Sequence, residues 1–304
     1  YYQDIYRVGG GCHWEYLWHT HPSMSNPVGR FLQRYNPRNW AIMRLEKRSF
    51  TPGAYKKIIC ISNQVKSEVQ RYYGVPDKDI VVIYNGIDLN RFHPANQVTY
   101  RDDVRLRHNL AKDDVVVLYV GSGFERKGLR YAIESVACVV NAGRHPAVAG
   151  QVPGKFPIKL LVVGRGNIPK YTNIAKKLGI AERVIFAGPQ AKIEQYYATS
   201  DIFLFPTLYE PFGTVCLEAM ASGLPVITSK RAGASEVMSD AVDSFVLDNP
   251  ENSNTIAEKL TYLMDAVWRQ NIGKAARHTA TRYSFERNYQ QVLDVYEEVI
   301  QHSA

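Results

Sequence analysis

The chain is punctuated by short apolar runs rich in β-branched residues, each bounded by polar or turn-forming residues. These runs occupy residues 79–84, 114–120, 158–163, 183–187, 201–205 and 224–228. Apolar runs of this length without alternation are typical of strands that are buried on both faces, as in a parallel sheet. The pattern therefore predicts several parallel strands.

Between these runs the apolar spacing changes to that of a helix. In residues 127–141, Leu129, Ile133, Val136 and Val140 fall on one stripe. Shorter amphipathic stretches cover 169–178, 191–199 and 214–222. Strand and helix alternate, which predicts βαβ units in a doubly wound α/β sheet that fills about residues 93–282.

The first ninety residues contain fewer such units. Residues 58–62 and 79–84 read as strands on either side of a helical stretch, which is too little for a complete second domain of the same type. The chain also begins at Tyr1 without a Met, so we expect the first strands of this domain to be missing.

The expected organisation has three parts. Residues 1–90 form a partial N-terminal Rossmann-like domain and residues 91–283 a complete C-terminal one; residues 284–304 form a helix, begun by a Ser cap, that returns to the N-terminal domain. Residues 85–94 are a turn-rich connector, and the proline- and glycine-containing stretch 144–157 is expected to be a surface loop.

Composition is that of a globular protein, with 45% apolar and 22% charged residues. No apolar run is long enough to span a membrane, and the N-terminus does not resemble a signal peptide. The four cysteines lie far apart and form no CxxC pair, which argues against a zinc site or a disulfide framework and favours a reducing cytoplasm.

The net charge of +8 is concentrated near the N-terminus. Residues 1–92 hold thirteen Lys or Arg and seven Asp or Glu, and the segment Arg30–Lys57 holds eight cations against Glu46 alone. An anionic membrane face, a nucleic acid or plain solvation would each explain such a segment. Its aromatic residues suit an interfacial helix, and no nucleic-acid motif accompanies it. We therefore expect a cytoplasmic protein without a nucleic-acid partner, for which docking on the inner membrane face and a solvated basic surface are both open.

The most informative segment is 207–229, where a predicted strand leads through Glu210, Pro211 and Gly213 into a helix that starts near Thr214. The first N–H groups of a helix lack internal partners and attract anions, so this junction predicts a phosphate site. Glu210 and Glu218 can each accept two hydroxyl hydrogens from a sugar diol. Alternatively, the first is a capping residue and the second is a solvated helix residue.

These residues carry a family resemblance. Glu210 and Glu218 reproduce the E-x7-E motif of retaining glycosyltransferases of family 4. Four earlier segments also resemble that family and occur in its order, namely residues 85–92, 120–128, 162–166 and 184–188. Residues 4–13 resemble the lipopolysaccharide core glucosyltransferase group. The resemblance implies a GT-B fold of two Rossmann-like domains and a nucleoside-diphosphate sugar, expected to be a UDP-sugar, as co-substrate without a cofactor.

The resemblance also implies residue roles. Glu218 would hold the ribose hydroxyls, and Glu210 would contact the donor sugar. The backbone at Phe212, Gly213 and Thr214 would bind the pyrophosphate and sugar hydroxyls. The remaining positions expected in the donor site are Lys127, Arg126, Gly121, Ser122 and Gly188.

The residues themselves support a site in the turn 121–128. Arg126 and Lys127 precede a predicted helix, where two cations are unfavourable unless an anion lies between them; the alternative is a solvated basic turn. Many family members have Arg where this chain has Ser122; Arg126 is the candidate to take over its role, which the sequence leaves open. Lys127 would neutralise the leaving diphosphate.

Two further candidates concern the N-terminal part. The family's N-terminal domain often supplies a histidine near the donor sugar, and His13, after Gly9–Gly11, is the candidate, although a structural role is an open alternative. The stretch 77–79 matches the DxD metal motif, but it follows Gly74 and Pro76 and reads as a turn. We therefore expect metal-independent transfer.

Three functions remain open at this stage. The first is transfer of a hexose, with retention, to a hydroxyl of a glycan or a lipid-linked acceptor, as in synthesis of lipopolysaccharide or cell-surface polysaccharide. The second is a sugar-nucleotide epimerase of the same architecture, which would act without an acceptor. The third is a non-catalytic basic module that binds membrane or nucleic acid.

Overall fold

The computed structural model describes residues 2–142 and 156–301, which contain two parallel sheets. The smaller sheet has the order β1-β2-β3 and comprises β1 (Ile5–Val8), β2 (Lys57–Cys60) and β3 (Ile80–Val82). The larger has the order β6-β5-β4-β7-β8-β9 and comprises β4 (Val115–Val120), β5 (Ile158–Val163), β6 (Val184–Gly188), β7 (Ile202–Phe205), β8 (Val226–Ser229) and β9 (Ser244–Leu247).

Helices cover the sheets and join their strands. They are α1 (His13–Thr20), α2 (Pro27–Tyr35), α3 (Pro37–Ser49), α4 (Asn63–Tyr73), α5 (Asn96–Arg107), α6 (Leu129–Ala142), α7 (Ile168–Lys177), α8 (Glu194–Thr199), α9 (Thr214–Ala221), α10 (Ser253–Tyr262), α11 (Ala266–Ala280) and α12 (Phe285–Gln301). Within the part of the chain described, none of them is long and apolar enough to cross a bilayer.

The strand order of the larger sheet determines where a ligand can bind. β4 lies between β5 and β7, with Val117 paired to Ile202, so the chain adds β5 and β6 on one side of β4 and then crosses back to add β7, β8 and β9 on the other. In such sheets the crevice at the carboxyl ends of the strands, beside this reversal, receives ligands. The apolar core of β4 is fully buried, which explains why its sequence does not alternate.

Local signals account for several of the helix ends. The Ser62 hydroxyl accepts a hydrogen bond from Val65 N and begins α4, which ends at Gly74 with φ 67°. That left-handed conformation favours glycine. The predicted Ser cap of the last helix is also present, because Ser284 Oγ accepts from Arg287 N at 3.2 Å.

Helix α12 packs against the smaller sheet. Val295 forms an apolar cluster with Ile59 of β2 and Ile83, and Lys57 makes an ion pair with Glu298 at 2.8 Å. Asn288 Nδ2 donates to Tyr84 O at 2.6 Å. The last helix therefore covers the strands of the N-terminal segment, although it follows the larger sheet in sequence.

The two chain segments that connect the sheets run side by side. Ile87 N donates to Tyr283 O at 2.9 Å and Phe285 N donates to Ile87 O at 3.1 Å. A Cβ on Gly86 would lie 2.7 Å from Ser284 O, so glycine permits this close approach. The connector at residues 86–87 and the returning segment at residues 283–285 are thus hydrogen-bonded to each other where the chain passes between the two sheets; we call this the bonded crossing.

Most predicted elements are confirmed, including each of the apolar runs and the predicted helices of the larger sheet. Strand β9 and helices α5, α10 and α11 had not been individually predicted. The expected loop at 144–157 lies almost entirely outside the described residues. The boundaries at residues 90 and 283 stay predictions.

Candidate functional site

The segment between β7 and α9 forms the centre of the site. Its backbone is fixed by two bonds, from Glu210 N to Arg231 O at 2.9 Å and from Gly233 N to Glu210 O at 3.0 Å. Gly213 then adopts φ 91°, a left-handed conformation, and α9 begins at Thr214 as predicted. We call residues 209–214 the donor turn.

Two cations bracket the Glu210 carboxylate. Its Oε2 lies 2.9 Å from Arg126 Nη1 and 3.4 Å from Lys127 Nζ. Arg126 Nη1 also donates to Tyr209 O at 2.5 Å. The sequence predicted an anion between these two cations, and in this structure the anion is Glu210 itself.

The two cations differ in how firmly they are held. Arg126 bonds both the backbone and the carboxylate of the donor turn, so it fixes that turn in place. Lys127 lies farther from the Glu210 carboxylate than Arg126 does. Its aliphatic chain passes over Gly121, and a Cβ added to Gly121 would lie 2.5 Å from Lys127 Cδ. Its ammonium lies 5.2 Å from the centre of the Phe205 ring. Lys127 is thus the cation that a bound phosphate can engage with least disruption.

Glu218 is held by a buried tyrosine. Tyr197 is fully buried, and its hydroxyl donates to Glu218 Oε2 at 2.7 Å. Burial raises the pKa of Glu218, while the bond from Tyr197 and the charges of Arg91 and Lys127 oppose that rise. One carboxylate oxygen is thereby oriented, which excludes the alternative of a freely solvated helix residue.

The two glutamates lie around the same helix start. Lys127 contacts Glu210 and its charge also lowers the pKa of Glu218. Cys216 lies between them: burial raises the pKa of its thiol to about 12, and both carboxylates contribute to the increase. The structure therefore places the contact between Glu210 and Lys127 just before α9, with Glu218 about one turn inside the helix and within reach of the Lys127 charge.

Glycines leave the neighbouring strand ends free of side chains. Gly164 N donates to Gly188 O at 3.0 Å, and a Cβ on Gly164 would lie 2.0 Å from Gly121 O. The loops after β4, β5 and β6 thus approach backbone to backbone. Ser122 joins them, since its Oγ accepts from Arg165 N at 3.2 Å.

The other predicted donor residues occupy different environments. The Phe212 ring is buried and its carbonyl accepts from Ala234 N at 2.7 Å. The Thr214 hydroxyl is partly exposed and accepts from Asn85 Nδ2 at 3.2 Å. The connector between the sheets therefore touches the start of α9.

His13 is not brought to this group by any contact in the described part of the chain. It is the first residue of α1, its ring nitrogen lies 3.0 Å from Asn39 Oδ1, and it stacks on Tyr16. His19, in contrast, stacks on Tyr209 with ring centres 5.6 Å apart. Sequence reasoning ranked His13 higher because it follows the glycine-rich turn.

The N-terminal segment holds the donor turn from the other side. Tyr209 OH donates to the buried Glu68 Oε2 at 2.8 Å, and Ser62 Oγ donates to Pro211 O at 2.7 Å. A Cβ on Gly11 would lie 2.1 Å from Tyr209 OH. Sequence reasoning missed Glu68 and Ser62, because no local pattern links them to residues about 140 positions away.

A third contact joins the two halves. The Glu236 carboxylate accepts from Asn63 N at 2.7 Å and from Gln64 N at 2.8 Å, at the N-terminus of α4. These donors have no partner within the helix and favour an anion. The larger sheet thus supplies the cap of a helix that belongs to the N-terminal segment.

The DxD-like stretch is a turn, as expected. Residues Asp77–Asp79 form a short 3-10 helix, and Asp77 pairs with Lys66 at 2.6 Å. Within residues 2–142 and 156–301, no group of three or more His, Cys, Asp or Glu side chains is arranged to hold a metal ion.

Comparisons with known families match most of the chain. The model of the family described as glycosyl transferases group 1 matches residues 101–279, and that described as glycosyltransferase family 4 matches residues 7–91. The first match alone covers more than half of the chain and includes the donor turn.

Curated relatives are similar over most of this chain. An uncharacterized glycosyltransferase of Methanocaldococcus jannaschii is 27% identical over 292 residues, 94% of this chain and 70% of the relative. The lipopolysaccharide glucosyltransferase WaaG of Escherichia coli is 27% identical over 82% of this chain and 64% of its own length. A D-inositol 3-phosphate glycosyltransferase of Nocardiopsis dassonvillei is 26% identical over 79% and 55%. The chain thus spans about half to two thirds of the length of these relatives.

Solved structures show the same architecture. WaaG, a glycosyltransferase involved in lipopolysaccharide biosynthesis, superposes with a TM-score of 0.80 at 24% identity and covers 96% of this chain and 74% of its own. Anabaena HepE in complex with UDP and glucose has a TM-score of 0.73 at 20% identity and covers 96% and 71%. The predicted GT-B fold is confirmed, and the chain belongs to the group 1 glycosyl transferases.

Proposed function

We propose that the protein transfers a hexose from a nucleoside-diphosphate sugar to an acceptor hydroxyl, with retention at the anomeric carbon. The observation that carries this proposal is the convergence of Glu210, Glu218 and Lys127 around the first turn of α9. That turn offers backbone N–H donors beside a cation and two carboxylates, which matches a diphosphate flanked by two sugars.

In this proposal each end of the donor has its own carboxylate. Glu218 accepts the two ribose hydroxyls with a carboxylate that Tyr197 orients. Glu210 accepts hydroxyls of the hexose. Arg126 keeps Glu210 in place through Tyr209 O, while Lys127 moves its contact from Glu210 to the diphosphate.

Catalysis follows from where charge develops. As the bond between the anomeric carbon and the phosphate oxygen breaks, negative charge grows on the leaving diphosphate, and Lys127 with the N-terminus of α9 stabilises it. The acceptor oxygen bonds to the same face of the anomeric carbon, and its proton passes to the departing phosphate oxygen. No protein nucleophile and no metal takes part in this scheme.

We further propose a UDP-sugar as the donor and a glycan or lipid-linked hydroxyl as the acceptor, in synthesis of lipopolysaccharide or another cell-surface polysaccharide. The donor proposal is supported by the similarity to HepE, which was solved with UDP and glucose. The acceptor proposal is supported by the similarity to the lipopolysaccharide glucosyltransferase WaaG.

The test is a thermal-shift panel of UDP-, GDP- and ADP-glucose on the full-length protein. At one hundred times Kd, binding adds about 2.7 kcal/mol, which raises Tm by several degrees. The Glu218→Gln variant should lose this shift. An unchanged Tm with every donor would overturn the proposal, and nucleotide-sugar isomerisation without acceptor would indicate an epimerase.

Two further assays address the chemistry. The anomeric configuration of the product, read by NMR coupling constants, should match that of the donor, and inversion would contradict the proposed mechanism. Turnover should be unchanged after treatment with EDTA, whereas its loss and recovery on adding a divalent cation would refute metal independence.

The segment Arg30–Lys57 supports a proposal about location. In α2, Val28, Phe31, Leu32 and Tyr35 share one helix face and are 61–69% exposed to solvent. Cations lie beside them along α2 and α3. We propose that this face docks on the anionic cytoplasmic leaflet, each cation contributing about 1 kcal/mol near the surface.

Vesicle co-sedimentation tests this location. Binding should increase with the fraction of phosphatidylglycerol and should decrease in the Phe31→Ser variant. Binding that is indifferent to anionic lipid content would rule the proposal out.

A further inference from the structure

A cavity of about 510 Å³ lies between α1, α3 and the end of α4, away from the donor turn. Its wall is mainly apolar, and the large side chains that form it are Trp14, Met43, Phe50, Tyr72 and Tyr73. This volume lies within the range of small-molecule sites, and an apolar wall of this kind suits a hydrocarbon ligand.

Two cations complete the wall of the cavity. Arg34 of α2 and Lys47 of α3 both line it, and neither side chain has an ion-pair partner among residues 2–142 and 156–301. Glu46, next to Lys47 in sequence, forms no ion pair with either cation among the described residues; its carboxylate accepts from Tyr73 OH and His13 N instead. An apolar space with two available positive charges is complementary to an amphiphile that carries one anionic group.

The surroundings of the cavity indicate the source of that amphiphile. Arg34 belongs to the same helix whose exposed apolar face is proposed above to dock on the membrane. A lipid of the bilayer surface could therefore enter from the side that faces it. A free phosphate ion would leave the apolar wall without a partner.

We propose that this cavity binds the hydrocarbon chain of an anionic phospholipid, with Arg34 and Lys47 holding its phosphate. The inference extends the proposed membrane docking from a surface contact to a specific lipid site. It is independent of the donor chemistry, because no residue of the cavity belongs to the donor turn.

Trp14 permits a direct test in the full chain. When Trp18, Trp40 and Trp268 are replaced by Phe, Trp14 is the one tryptophan left in the sequence. Lysophosphatidylglycerol brominated on its chain, used below its critical micelle concentration, should quench Trp14 saturably. Brominated lysophosphatidylcholine should bind at least tenfold more weakly, and inorganic phosphate should not displace the lipid. No saturable quenching, or equal affinity for the neutral lipid, would overturn the proposal.

Matched variants separate the cavity from the surface. In this background, Arg34→Gln with Lys47→Gln should weaken lysophosphatidylglycerol binding at least tenfold, whereas Arg38→Gln with Arg44→Gln removes the same charge outside the cavity and should change it less than twofold. Equal effects of the two pairs would indicate non-specific charge attraction and refute the site.

A filling variant addresses the apolar wall, and a surface variant addresses docking. Met43→Phe should reduce quenching while circular dichroism stays unchanged; retained quenching would contradict occupancy of the cavity. Phe31→Ser should weaken vesicle binding but leave binding of the monomeric lipid intact, so failure of docking and failure of the cavity give different results.

Discussion

The hydrogen bond between Tyr197 and Glu218 yields the sharpest prediction. The Tyr197 phenol is fully buried and donates to the Glu218 carboxylate. Burial already raises the pKa of that carboxylate. In the Tyr197→Phe variant that stabilisation of the charged form is lost. A hydrogen bond to a charged group contributes about 1.5–3 kcal/mol, so the charged form of Glu218 should lose about that much stabilisation and its pKa should rise further.

Donor binding should report this shift. Only ionised Glu218 accepts both ribose hydroxyls, so donor affinity is lost as pH falls through the pKa of Glu218. In Tyr197→Phe the same loss should occur at a higher pH. Isothermal titration of the donor across the acidic to neutral range measures both curves.

Stability should change with pH in the same variant. A carboxyl group whose pKa is raised by folding favours the native state while protonated, and that advantage disappears as pH rises through the folded pKa. Raising the pKa of Glu218 further enlarges this loss. The deficit of Tyr197→Phe in urea unfolding should therefore grow from acidic to neutral pH.

Tyr196→Phe is the matched control. Tyr196 is the adjacent buried tyrosine, but its hydroxyl pairs with His108 at 3.1 Å and not with Glu218. It should leave the pH dependence of donor binding unchanged. If Tyr197→Phe shows the wild-type curve, or if both variants shift it equally, the reasoning about Glu218 is refuted.

Three other predictions follow from the site and its support. Lys127→Ala should lower kcat about 10²–10³-fold with little change in Tm, since it acts on charge that develops in the transition state; wild-type turnover would contradict that role. Arg105→Ala should cost about 1–3 kcal/mol in urea unfolding, because the carbonyls of Ala111 and Asp114 lose their buried donor, while exposed Arg107→Ala should cost less than about 1 kcal/mol. Gly164→Ala should abolish donor binding in a calorimetric titration, as its Cβ would meet Gly121 O at 2.0 Å; normal affinity would show that the loops adjust.

The larger sheet was largely predictable from sequence because its strands are buried on both faces. Continuous apolar runs result directly from that environment, and the helix start at Thr214 is marked by Gly213. Strand β9 escaped because its run of four residues, Ser244–Leu247, is short and begins with a polar residue. Helices with weak apolar periodicity, such as α5, gave no comparable signal.

The site was predictable only where its residues are close in sequence. The spacing of Glu210 and Glu218 on one turn and helix is a local pattern, and the structure brings them together. The support from Tyr197, Glu68 and Ser62 depends on tertiary packing across long separations. The stacking of His19 on Tyr209 likewise depends on packing between distant segments and has no signal in the sequence.

The bonded crossing at Ile87 and Ser284 has a consequence for protein engineering. Removing the last seventeen helical residues, Phe285–Gln301, would leave every donor-turn residue in the chain. It would nevertheless uncover Ile59 and Ile83 and delete the partner of Lys57. A variant that ends after α11 should therefore lose stability in the sheet β1-β2-β3 and, through Ser62 and Glu68, weaken the support of the donor turn.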